Sequence, residues 1–128
     1  MRSRLHGYAA VAALFGAAAV AMGAFGAHAL REQFDASSMQ VWHTAVEYQF
    51  WHVLALFAVV VLARDCVLPV WRIAALSFIA GIILFCGSLY ALALGAPAVT
   101  GMITPLGGLC FIVGWVALAV AIVRIGPR

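Results

Sequence analysis

No lysine occurs in this chain, and charge of either sign is scarce: seven arginines and four carboxylates stand among 128 residues. A nucleic-acid surface draws its affinity from clustered basic side chains set against phosphates. The arginines here are scattered and form no stripe with interleaved aromatics, so nucleic acid is excluded as a partner. Cysteine is also sparse. Cys66, Cys86 and Cys110 have no CxxC spacing and read as small apolar packing residues. No glycine-rich phosphate loop follows a strand, and there is no nucleophile elbow and no aspartate pair. The chain therefore offers no catalytic constellation, and the expectation is a protein that is not an enzyme and carries no cofactor.

What is abundant is apolar. Hydrophobic residues make up 67% of the chain and charged ones 9%, where ordinary soluble domains run at roughly half and a quarter. A soluble chain of this size has too little interior to hide so much apolar surface. Most of it must be solvated by lipid.

The charges mark out the spans. The run between Arg4 and Arg31 is uncharged and exceeds the roughly 20 helical residues needed to cross a hydrocarbon core. This predicts a first helix over 5–29, and the same reasoning gives 42–63, 73–94 and 104–123. Gly95, Pro97 and Gly101 break the pattern between the last two. Pro105 fits a first helical turn, where its missing N–H leaves nothing unpaired. The connections are short, so residues 1–128 form one all-α transmembrane domain, an up-down-up-down four-helix bundle.

Arg2, Arg4, Arg64, Arg72, Arg124 and Arg128 fall at the two ends and in the connection between the second and third helices, whereas Arg31 alone occupies the other side. This asymmetry predicts cytoplasmic termini in a multi-pass protein of a bacterial inner membrane. Tyr8, Trp42 and Trp71 then fall near the interfaces, where amphipathic rings sit at headgroup level. Ala27-His28-Ala29 resembles a signal-peptide cleavage site. A signal core is only about 7 to 15 residues long, however, so the first apolar segment is expected to stay as a helix. Its Gly16, Ala19, Gly23, Gly26 and Ala27, three or four apart, suit close approach of a neighbouring helix.

The blocks "GAFGAHAL" (23–30), "WHTAVEYQFWH" (42–52), "GSLY" (87–90), "ITPLGG" (103–108) and "FIVGW" (111–115) resemble the signatures of the domain of unknown function 423 family of small membrane proteins. The resemblance implies a four-helix integral membrane protein without an established activity, and it supplies no catalytic residue.

In the predicted topology these blocks crowd the outer half of the bilayer, while the inner half is aliphatic. The candidate binding residues are therefore His28, His43, Glu47, Tyr48, His52, Ser88, Tyr90 and Thr104. Gly16, Gly23, Gly26, Gly87, Gly107 and Gly108 are the candidates for helix packing. Glu47 draws most interest, because a carboxylate inside a span usually faces a partner or cavity. His28, His43 and Tyr90 are its candidate partners. His43 and His52 are nine residues apart, half a helical turn out of phase, so one straight helix cannot bring both to one ion. No metal site is expected. "GAFGAHAL" also echoes "GSLYALAL" (87–94) at an offset of 64, which Trp51 and Trp115 share, as in a parallel repeat of two hairpins.

The expected function is non-enzymatic binding of a lipid or partner through the outer-half polar cluster. The expected partners are the lipid bilayer and either a second copy of the chain or another membrane protein. The alternative is an oligomeric transporter or channel subunit in which Glu47 titrates.

Overall fold

The structure is a computed structural model and describes residues 2–66 and 68–126; Arg128, counted above, lies outside them. Four helices are long and apolar enough to cross a membrane: α1 (Arg2–Leu30), α2 (Ala36–Leu62), α3 (Pro69–Ala93) and α4 (Thr104–Ile125), the last preceded by a 3₁₀ turn over Ala98–Met102. Successive helices pack against each other, α1 on α2, α2 on α3 and α3 on α4. α1 is the most exposed of the four.

Local chemistry sets the ends. α2 begins at Ala36, six residues before the expected Trp42, because Asp35 caps it: the carboxylate accepts the Ser38 N–H at 2.7 Å. The polar first turns of α2 read as a connection in the sequence, since a helix rising out of the bilayer needs no apolar residues there. α3 begins at Pro69, earlier than the expected 73, and Leu68 before it is extended (φ −115°, ψ 143°), as a following proline demands. At its other end Ala96 N–H reaches Ala91 O and Gly95 N–H reaches Leu92 O, with Gly95 at φ 98°. That pair of bonds terminates a helix through a left-handed residue, which glycine adopts without steric cost. Pro105 lies in the first turn of α4, as expected.

α1 and α2 interlock at seven-residue intervals. Leu5, Ala12, Ala19 and Gly26 are the buried stripe of α1. A Cβ at Gly23 would sit 3.4 Å from Val46, and one at Gly16 would sit 3.5 Å from Val53, so both glycines pack on valines in a single antiparallel register. Two side chains of α2 tie that register to backbone. Trp42 Nε1–H donates to Met22 O at 2.8 Å, and Gln49 Nε2–H donates to Phe15 O at 2.8 Å. Gly26 makes room for the first of these, since a Cβ there would lie 2.5 Å from the Trp42 ring nitrogen.

α3 and α4 interlock by rings seated on glycines. Phe78 lies over Gly114 and Phe111 over Gly81, while Gly107 lies against the Phe85 backbone. The three pairs share one antiparallel register. Phe85 belongs to a π turn, Ile82–Cys86, and such a turn inserts an extra residue into the helix. The Trp42 and Trp71 indoles, expected near the interfaces, are buried against neighbouring helices with their N–H groups on Met22 O and Cys66 O. An indole whose donor is satisfied inside the protein has no need of the headgroup layer.

Candidate functional site

From the end of the bundle at which α2 begins, the structure separates the candidate residues into three groups. His28, His43 and Glu47 are exposed, and none of their side chains makes a hydrogen bond or ion pair among the described residues. The proposed partnership of Glu47 with His28, His43 or Tyr90 is therefore not formed within the chain. His43 and Glu47 share the face of α2 turned away from the bundle.

The second group ties helices together. Tyr90 O–H donates to Gln49 Oε1 at 2.7 Å, and Gln49 in turn donates to Phe15 O, so one buried amide links α3, α2 and α1. Ser88 Oγ–H donates to Phe85 O at 2.9 Å. Thr104 must then be the donor in the 2.6 Å bond between the Ser88 and Thr104 hydroxyls, which joins α3 to the start of α4. Gln49 is uncharged, so charge within a span does not single it out. Its signal was its seven-residue spacing from Trp42 and Leu56, both buried.

The third group lies deeper. His52 is about 24 Å from the first residue of a helix about 40 Å long, and Trp115 sits near the middle of α4. The imidazole stacks on Phe111 with ring centroids 3.6 Å apart and 11° between planes. Its Nδ1 is 2.6 Å from Tyr48 O, and its Nε2 is 3.1 Å from Trp115 Nε1. A carbonyl only accepts and an indole N–H only donates, so the ring is held with its proton on Nδ1. His43 and His52 do point apart, one exposed and one buried. Among the described residues no three His, Cys, Asp or Glu side chains are grouped to hold an ion.

Beside His52 a groove of about 930 Å³ opens sideways between α2 and α4. Tyr48, His52, Phe85 and Phe111 form its back, and the exposed Trp51, Leu109, Ile112 and Trp115 form its lips. α2 and α4 touch little elsewhere, which is why a groove remains. The Tyr48 hydroxyl makes no hydrogen bond among the described residues. Gly108, expected at a helix contact, lines this groove instead: a Cβ there would meet only Phe85, at 4.0 Å. Gly87 likewise faces open space, unlike Gly23 on Val46, so the 64-residue echo is not repeated in the packing. Trp51 and Trp115, which share that offset, both border the groove.

Comparison with known proteins agrees with this architecture. Residues 22–108 match the family described as Protein of unknown function (DUF423). The chain is 41% identical to the UPF0382 membrane protein YwdK of Bacillus subtilis, over 83% of this chain and 87% of that one. It is 43% identical to a UPF0382 membrane protein of Haemophilus influenzae, over 88% and 90% of the two chains. With the UPF0382 inner membrane protein YgdD of Escherichia coli it shares 39% identity over 89% and 87%. No solved structure matches. The matched segment takes in the Gly26–Trp42 seat, the Gln49–Tyr90 bond, His52 and the Gly107 contact with Phe85, and the chain belongs to the DUF423 family of membrane proteins of unknown function.

Proposed function

We propose that this is a non-enzymatic bacterial inner-membrane protein that binds the acyl chain of a membrane lipid in the groove between α2 and α4, with both termini cytoplasmic. The observation that carries the reading is the groove itself. It is apolar, it runs from the first turn of α4 to the middle of that helix, and it opens sideways, toward the acyl chains that surround a membrane-spanning bundle. Its volume is within the range of ligand pockets, roughly 300 to 1,000 Å³. His52 is rigidly held and shapes the wall. Among the groove's lining residues Tyr48 carries the hydroxyl, which makes no hydrogen bond among the described residues. The exposed His43 and Glu47 lie above this groove on the same helix and suit contact with headgroups, since side chains on α2 tilt toward its outer, N-terminal end. The arginine asymmetry supports the orientation.

Gly108 supplies the test, because a larger side chain there fills the groove without striking backbone. A phospholipid carrying a photoactivatable group in mid-chain should label Tyr48, Trp51, Leu109 and Ile112 above exposed residues of α1 such as Leu14 and Val20. Gly108→Leu should abolish that preference. Uniform labelling of all exposed positions would sink the reading.

The second reading, an oligomeric transporter subunit with Glu47 titrating, is favoured by the outward, unpartnered position of Glu47 on α2. Proton or solute flux in liposomes that disappears in Glu47→Gln would replace the first reading by this one.

A further inference from the structure

A second cavity, of about 480 Å³, lies at the opposite end of α2 from Asp35, where α1 begins. Arg2 and His6 of α1 line one side; Arg64 and Asp65, just past α2, line the other; Leu5, Val60 and Val61 form an apolar floor. Arg2 and Arg64 are exposed, so their guanidinium groups are accessible at the mouth. Asp65 has a partner of its own. This end of the bundle also carries Arg4, Arg72 and Arg124, with Asp65 the one acidic residue near them, whereas the other end sets Arg31 against Glu32 and Asp35. The field at the cavity is therefore positive.

Two arginines, one in the first turn of α1 and one in the turn after α2, above an apolar floor at the level where helices leave the bilayer, match a ligand with an anionic head and a hydrocarbon tail. A guanidinium presents paired donors that fit phosphate oxygens, and basic pockets between transmembrane helices recognise anionic headgroups. We propose that this cavity binds a phosphate group, that of an anionic phospholipid, with Arg2 and Arg64 on its oxygens and the first methylenes of an acyl chain over Leu5, Val60 and Val61. His6 adds a further ring nitrogen at the rim. The site shares no residue with the groove between α2 and α4, so the two readings stand or fall separately.

The purified full-length chain in a neutral detergent should retain phosphatidylglycerol in native mass spectrometry and gain thermal stability from it, and phosphatidylcholine should do neither at the same concentration. Arg2→Gln with Arg64→Gln should weaken phosphatidylglycerol binding by roughly tenfold or more, the effect of losing two arginines near a phosphate. Arg72→Gln with Arg124→Gln, exposed residues at the same end and outside the cavity, should change it less than about twofold. Inorganic phosphate that stabilises the chain alone and displaces the lipid through the same two arginines would support the phosphate site and assign it to the free ion. Equal losses in both double variants would overturn the proposal, since the attraction would then be general to the basic end. So would unchanged binding in Arg2→Gln with Arg64→Gln.

Discussion

Trp115 donates its indole N–H to Nε2 of His52 at 3.1 Å, joining α4 to α2 at mid-membrane. The bond leaves His52 one permitted tautomer, because Nδ1 is already engaged with Tyr48 O. Trp115→Phe removes the donor and leaves Nε2 unpaired on a ring packed among Tyr48, Phe78 and Phe111. The expected cost is about 1–3 kcal/mol. His52→Phe with Trp115→Phe removes both partners and should cost less than the two single changes added together. Unfolding in detergent measures the cycle. Strict additivity would mean that the bond contributes nothing.

Gly107 and Gly108 are neighbours with opposite tolerance. A Cβ at Gly107 would fall 2.7 Å from Phe85 Cα, and backbone cannot swing aside as a flexible side chain can. Gly107→Ala is therefore expected to destabilise the bundle by about 1–3 kcal/mol, the usual cost of overpacking. Gly108→Ala should be neutral. Comparing the two melting temperatures checks the register of α3 on α4, and the reverse order would mean that this register is wrong.

Gln49 and Glu47 are two residues apart, and their structural roles separate sharply. Gln49→Leu breaks the bonds to Tyr90 and Phe15 together. Hydrogen bonds between membrane helices are typically worth about 0.6 kcal/mol and up to roughly 1.7, so Gln49→Leu should cost about 1–3 kcal/mol. Tyr90→Phe should cost less, because it removes one bond only. Glu47→Gln should leave stability in detergent unchanged, since the carboxylate has no partner among the described residues. A destabilised Glu47→Gln variant would show that Glu47 is covered by another chain.

The Ser38 N–H holds the Asp35 carboxyl below the usual carboxylate range, with the Ser38 side chain adding to the effect. A depressed carboxyl stabilises the fold above its unfolded value, near 3.8, and loses that contribution as the pH falls through the folded value. The first turn of α2 should therefore fray in acid below about pH 4. Asp35→Asn keeps an acceptor for Ser38 N–H and should remove the acid sensitivity. Carbon-13 shifts of the Asp35 carboxyl and the Ala36–Ser38 backbone, followed from pH 6 to 2, test the sign. An Asp35 midpoint above 3.8 would contradict the cap.

Composition and charge spacing were enough for the membrane environment, the number of spans and their alternating direction, because crossing hydrocarbon demands about 20 uncharged helical residues whatever the helices later touch. Glycine spacing on α1 and in "ITPLGG" pointed to close helix approach at Gly26 and Gly107, where a side chain would collide. The same spacing carried no information on Gly87 and Gly108, which face open space. In lipid the apolar pattern does not separate inside from outside, since tails are as apolar as leucine. Which face of each helix meets another was therefore decided by tertiary packing: rings of Phe78 and Phe111 against Gly114 and Gly81, and the carbonyls of Met22 and Phe15 available to Trp42 and Gln49. Packing also turned Glu47 outward and His52 inward. Sequence alone placed these two residues on one helix at neighbouring depths; only their angle to α1, α3 and α4 separates an exposed carboxylate from a buried imidazole, and that angle depends on three other helices.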